Sequence, residues 1–95
     1  MTVSVNIPAS LRSFANGQRL VHVDDAATLR DVFERLHALA PGIVERALDE
    51  QGCLRPHVNV FVDGQSIRAS SRLGLQTPVA AGAEIWILPA VSGGS

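Results

Sequence analysis

Residues 28–42 read TLRDVFERLHALAPG, and the architecture turns on them. Leu29, Val32, Phe33 and Leu36, continued by Leu39 or Ala40, recur at three- and four-residue spacing. That spacing puts them on one face of an α-helix. Arg30, Glu34, Arg35 and His37 fall mostly on the opposite side. Thr28 offers an N-cap hydroxyl, and Asp31 at the third helical position suits the positive end of the helix dipole. Pro41-Gly42 is expected to end the helix.

The sequence on both sides of this helix alternates in the manner of strands. Upstream, TVSVNIP places Val3, Val5 and Ile7 on one side and Thr2, Ser4 and Asn6 on the other, with Pro8 as the stop. Asn16-Gly17 then signals a hairpin, because both residues tolerate positive φ. A second strand over about Gln18 to Val23 follows, with Val21 and Val23 on one face. Downstream, IVERALDEQG adds a short, weaker helical piece, and QGCLRP is a loop. HVNVFVDGQSI is the clearest strand: Val58, Val60 and Val62 share one face, Asn59 and Phe61 the other. Asp63-Gly64 turns it into a short strand near Ser66 to Arg68. SSRLGLQTPVAAG is irregular, with room for one helical turn. Ala83 to Leu88 is the last strand, with Ile85 and Ile87 on one face and Trp86 and Leu88 on the other.

The order strand, strand, helix, strand, short strand, strand predicts an α+β fold: a mixed four- to five-stranded sheet packed on one main helix. The first and last strands become parallel neighbours, because the helix serves as the crossover between them. No internal repeat or second domain is visible.

Composition narrows the function classes. Ninety-five residues, 46% of them apolar and 18% charged, make one small globular domain with no room for a deep cleft beside its core. A net charge of −1 gives no broad basic field for nucleic acid. A single cysteine excludes an internal disulfide. The opening residues lack a signal-peptide core, and no run reaches the length of a membrane span, so the expectation is a cytoplasmic protein. All eight basic residues are arginine, so the chain has no lysine side chain on which to build an isopeptide bond with itself.

Two features point outward. If Val5, Val21, Val60, Ile85 and Ile87 pack on the helix, Phe61, Trp86 and Leu88 form an apolar patch on the other face, and such a patch usually marks a partner surface. A covering loop would instead make it a satellite cluster. The second feature is the ending IWILPAVSGGS, in which a strongly apolar strand gives way at Pro89 to small residues.

The strand VNVFVDG together with the closing IWILPAVSGG resembles the ubiquitin-like (β-grasp) sulfur carriers of the MoaD, ThiS and CysO group, over nearly the whole chain. VNIPASLR near the start, the long insert before HVNVFV and the ending ILPAVSGG are most similar to the CysO type. The resemblance implies a β-grasp domain over residues 1–91 and a flexible Gly-Gly tail over residues 92–95. It implies a protein that is not an enzyme and binds no cofactor or metal of its own. An E1-like enzyme would use ATP to adenylate the carboxylate of Gly94, and a sulfur donor would convert the adenylate to a thiocarboxylate. In the CysO type a pyridoxal-phosphate (PLP)-dependent cysteine synthase then supplies the acceptor, an aminoacrylate. A zinc metalloprotease releases the cysteine from its amide link to the carrier. Glycines suit this role because, without Cβ, Gly93 and Gly94 can thread a narrow channel and leave the carbonyl open to attack. Ala90, Val91 and Ser92 would hold them away from the domain, with Pro89 ending sheet pairing. Phe61, Trp86, Leu88, Pro89 and Val91 would dock the partner. A monomer is expected, since the tail has to visit several enzymes.

Ser95 departs from the family pattern, in which the reacting glycine is last. It reads as an extension that a protease removes, as a cloning remnant, or as a residue the activating enzyme accepts. Gly-Gly-Ser is the oxygen analogue of the Gly-Gly-Cys adduct of the CysO cycle, so the protease that releases cysteine could also expose Gly94. Rival roles for the fold are a MoaD-like carrier for molybdopterin, a carrier for thiolation of a secondary metabolite, and a protein-binding module with an inert tail.

Other constellations are weaker. Cys53 and His57 are four apart in a loop, without a third group to orient a nucleophile-base pair. His22, His37 and His57 lie on different elements, without ligand spacing. Arg55, Arg68 and Arg72 have few interleaved aromatics and are balanced by acidic residues, which suits acidic protein surfaces better than nucleic acid.

Overall fold

The computed structural model describes residues 2–67 and 74–89, and in it the alternating stretches are strands and the helically spaced one is a helix. Strand β1 (Thr2–Asn6) leads through a 3-10 segment (Ala9–Ala15) to β2 (Leu20–Asp24). Helices α1 (Leu29–Leu39) and α2 (Pro41–Ala47) follow, then β3 (Val58–Val62), β4 (Gln65–Ser66), a 3-10 turn (Gly74–Gln76) and β5 (Glu84–Pro89). The sheet order is β2-β1-β5-β3-β4. β1 and β5 run parallel with Val5 beside Ile85, and the other pairings are antiparallel. This is the β-grasp arrangement, with the last strand at the centre of the sheet.

One face of that sheet packs on α1. Val3, Val5, Val21, Val23, Val58, Val60, Ile85 and Ile87 join Leu29, Val32, Phe33 and Leu36 in a single buried cluster. The start of α1 is held by a reciprocal cap. The Asp31 amide donates to the Thr28 hydroxyl at 3.3 Å, and the Asp31 carboxylate accepts from the amides of Thr28 at 3.2 Å and Ala27 at 3.0 Å. Two helix-start donors and the chain entering the helix are thereby satisfied together. At the far end Ala40, not Leu39, completes the apolar stripe: Ala40 is buried and Leu39 is 60% exposed.

Four expectations need correction. Asn16-Gly17 has the positive φ expected, 54° and 80°, but it closes the 3-10 segment instead of a tight hairpin. The Gly17 amide donates to the carbonyl of Arg12, and the β1–β2 register starts at Asn6 opposite Leu20, leaving residues 7–19 between the strands. The cause is burial. Leu11 and Ala15, four apart, both reach the core, so the segment coils over it and β2 begins two residues late. Pro41-Gly42 ends α1 and also opens α2, with Pro41 at a first-turn position where its missing N–H costs nothing. The short fourth strand is Gln65–Ser66, followed by buried Ile67; Arg68 lies outside the described residues. Pro89 belongs to β5, opposite Val58, and is its last described residue. The expected tail 92–95, with Ala90 and Val91, also lies outside the described residues, as does Arg72.

Candidate functional site

The sheet face turned away from α1 carries a row of side chains that the strand register lines up. Leu20 on β2 pairs with Asn6 on β1, Asn6 with Trp86 on β5, Trp86 with Phe61 on β3, and Phe61 with Ser66 on β4. Leu88 sits two residues along β5 from Trp86, opposite Asn59. Trp86 is 43%, Leu88 42% and Leu20 41% exposed, while Phe61 is half-buried beside Trp86. Directly opposed aromatics on neighbouring strands stabilise the sheet, so the Phe61–Trp86 pair has a structural use as well as a surface one.

Polar groups fix the frame around the patch. Asn6 Nδ2 donates to the carbonyl of Ile85 at 3.2 Å, tying β1 to β5 beside Trp86. Ser66 Oγ donates to Asn59 Oδ1 at 3.0 Å. At the other end of β5, Asp63 and Glu84 exchange backbone hydrogen bonds with Asp63 Oδ1 accepting from the Glu84 amide at 2.9 Å, so the Asp63-Gly64 turn holds the start of the strand. β5 therefore carries the centre of the patch and leads toward the C-terminal glycines from a fixed direction.

Phe61, Trp86, Leu88 and Pro89 are brought together as expected; Val91, Ser92, Gly93, Gly94 and Ser95 lie outside the described residues. Leu20 was missed by the sequence reading. It is out of phase with the buried Val21 and Val23, which was the available signal, but only the pairing with Asn6 puts it on the same face as Trp86. Cys53 and His57 are both exposed. His22 is on β2, His37 on α1 and His57 before β3, and no group of three His, Cys, Asp or Glu among the described residues could hold a metal ion. No helix among them is long and apolar enough to cross a membrane.

The ThiS family model matches residues 5–94, so the match takes in Gly93-Gly94 and stops before Ser95. The chain belongs to the ThiS family. Within the wider MoaD, ThiS and CysO group of ubiquitin-like sulfur carriers, it is 41% identical to the sulfur carrier protein CysO of Mycobacterium tuberculosis, over 99% of this chain and all of that one. The crystal structure of CysO from the same organism superposes with a TM-score of 0.81 at 40% identity, covering 94% of this chain and 99% of that one. The Amycolatopsis orientalis BexX/CysO complex contains a chain that superposes with a TM-score of 0.84 at 33% identity, covering 96% of this chain and 98% of that one. The ThiS-family chain thus has its closing strand at the sheet centre, an apolar patch on the open face, and a Gly-Gly pair within the matched length.

Proposed function

We propose that this ThiS-family chain is a sulfur carrier, a substrate of partner enzymes and not an enzyme itself, whose reacting group is the carboxylate of Gly94. Hydrolysis of the Gly94–Ser95 bond exposes that carboxylate. An E1-like enzyme then joins it to the AMP moiety of ATP, with pyrophosphate leaving. Sulfide, delivered by a donor, attacks the acyl carbon; the carbon–sulfur bond forms, the carbon–oxygen bond to AMP breaks, and AMP departs with the electron pair. The thiocarboxylate gives its sulfur to an aminoacrylate held by a PLP-dependent cysteine synthase, and a zinc metalloprotease frees the cysteine. The carrier binds no cofactor.

The observation that supports this reading most is the family match through Gly94 together with 41% identity to CysO over essentially the full length of both chains. The patch of Leu20, Trp86, Leu88 and half-buried Phe61 adds a surface on which a partner can seat while the glycines reach its site. From Pro89 to Gly94 the chain spans five residues, at most about 18 Å when extended. The domain therefore has to dock close to the catalytic centre that it serves.

The test is intact mass spectrometry. Protein trimmed to Gly94 and given ATP, the E1-like partner and sulfide gains the mass of one oxygen exchanged for sulfur; no gain refutes the carrier reading. Untrimmed protein incubated with the metalloprotease loses one serine, and retention of Ser95 refutes that route to Gly94.

A further inference from the structure

Beside Pro89, where β5 ends, lies an open groove of about 550 Å³ lined by Ser10, Arg46, Arg55, His57, Glu45 and Pro89 over the buried Leu11. Its guanidinium groups are held in place by neutral contacts. Arg55 Nε and one terminal nitrogen donate to the Glu45 carbonyl at 3.2 and 3.1 Å. Arg46 donates to the Gly42 carbonyl at 3.4 Å and stacks on the Phe14 ring, 3.9 Å from its centroid. A carbonyl or an aromatic face orients a guanidinium without cancelling its charge. Two guanidinium groups against the one carboxylate of Glu45 give the groove a formal charge of +1 with the His57 imidazole neutral, on a chain whose net charge is −1.

The other end of the strands has the reverse polarity. There a hollow between β2 and α1 is lined by Asp24, Asp25, Asp31 and Glu34, against Arg35 and His22. Charge is thus sorted along the strand axis, with the positive end at the root of the tail. Whatever protein reacts at Gly94 comes within about 18 Å of Pro89 and faces this end.

We infer that the groove formed by Arg46, Arg55 and His57 seats an acidic surface segment of the enzyme that activates Gly94. The inference rests on the carrier reading for the identity of that enzyme, and on charge and position for the site. Leu88 and Pro89 make the groove continuous with the apolar patch, so one partner surface can cover both: apolar contact supplies affinity, and the carboxylates fix register and speed encounter. A planar guanidinium takes a carboxylate in a bidentate pair, which is why the segment is acidic and not merely polar.

Two measurements decide it. In the first, the intact protein is titrated with N-acetylated hexa-aspartate while Arg Nε–Hε and backbone amide resonances are followed by NMR. Saturable shifts are expected at Arg46, Arg55 and His57, lost at about 0.5 M salt and absent with hexa-asparagine. Shifts of equal size at Arg12, Arg19 and Arg35 overturn the assignment of the site. In the second, ATP–pyrophosphate exchange by the E1-like enzyme is measured with the carrier trimmed to Gly94. Arg46→Glu is expected to raise KM for the carrier at least about tenfold with kcat unchanged, and the wild-type KM to rise with salt, while Glu34→Gln changes neither. A wild-type KM independent of salt, or an Arg46→Glu KM within about twofold of wild type, overturns the inference. Absence of exchange with wild-type carrier refutes the carrier reading instead, and the peptide titration still decides the groove.

Discussion

Replacing Gly42 by alanine sets two effects of opposite sign against each other. Gly42 lies in the first turn of α2 and does not need a positive φ, so alanine suits its backbone. Propensity alone predicts a gain of about 0.5–1 kcal/mol, with the lower value apt for a first turn. Sterics oppose it. A Cβ at this position would stand 2.5 Å from Cδ1, 3.0 Å from Cγ and 3.2 Å from Cβ of Phe14. Turning the ring about χ2 moves Cδ1 but leaves Cγ and Cβ where they are, so α2 and the 3-10 segment have to separate. Forced separations of this kind cost about 1–3 kcal/mol. The steric effect wins, and Gly42→Ala is expected to lose about 1 kcal/mol net, lowering Tm by roughly 4–8 °C in a domain of this size. Urea unfolding with an unchanged m-value measures it. The discriminating assay repeats the substitution in a Phe14→Ala background, where the obstacle is gone and Gly42→Ala should become neutral or stabilising. An equal cost in both backgrounds, or a gain in the wild-type background, refutes the reasoning. Because Arg46 stacks on the same ring, the single variant should also weaken the hexa-aspartate response described above.

Thr28→Ala removes the hydroxyl that accepts from the Asp31 amide and should cost about 1 kcal/mol by chemical denaturation. The Asp31 carboxyl is held below its ordinary 3.8, first by the Ala27 amide, against some desolvation, then by the Thr28 amide and the charge of Arg35. A depressed carboxyl contributes stability above the unfolded value and loses it as pH falls through the folded one. The stability gap between wild type and Asp31→Asn should therefore be widest near neutrality and close in acid below 3.8; a gap independent of pH refutes the assignment. Trp86 is the single tryptophan, so docking on the open face should shift its emission to the blue, and Trp86→Ala should raise partner KM about tenfold with little change in Tm. An unshifted emission maximum at saturating partner speaks against the patch. Gly94→Ala should leave the urea midpoint unchanged while thiocarboxylate formation, read by intact mass, falls at least about a hundredfold; undiminished formation would move the reacting carbon elsewhere.

Much of the fold could be read locally because its cues are local. The Thr28–Asp31 cap joins residues three apart, and the alternations of β1, β3 and β5 separate buried valines and isoleucines from polar neighbours along a single strand. The parallel β1–β5 pairing followed from the helix between the strands, since a helical crossover is how parallel neighbours are joined. The Gly-Gly pair and the apolar residues of the last strand were equally plain from residue type. Where the reading went astray, a distant contact overrode a local preference. Asn16-Gly17 kept its dihedrals but changed its job, because Leu11 and Ala15 are drawn into the core.

The amino-acid sequence by itself determined the element types, the buried faces and the Gly93-Gly94 pair, since backbone preference and side-chain alternation act within a few residues. Only the tertiary structure decided that Leu20 joins Trp86, that Phe14 leaves no room beside Gly42, and that Arg46, Arg55 and His57 meet at Pro89. Those residues are far apart along the chain. Their meeting is set by strand register and helix packing, which depend on the burial of the whole core at once.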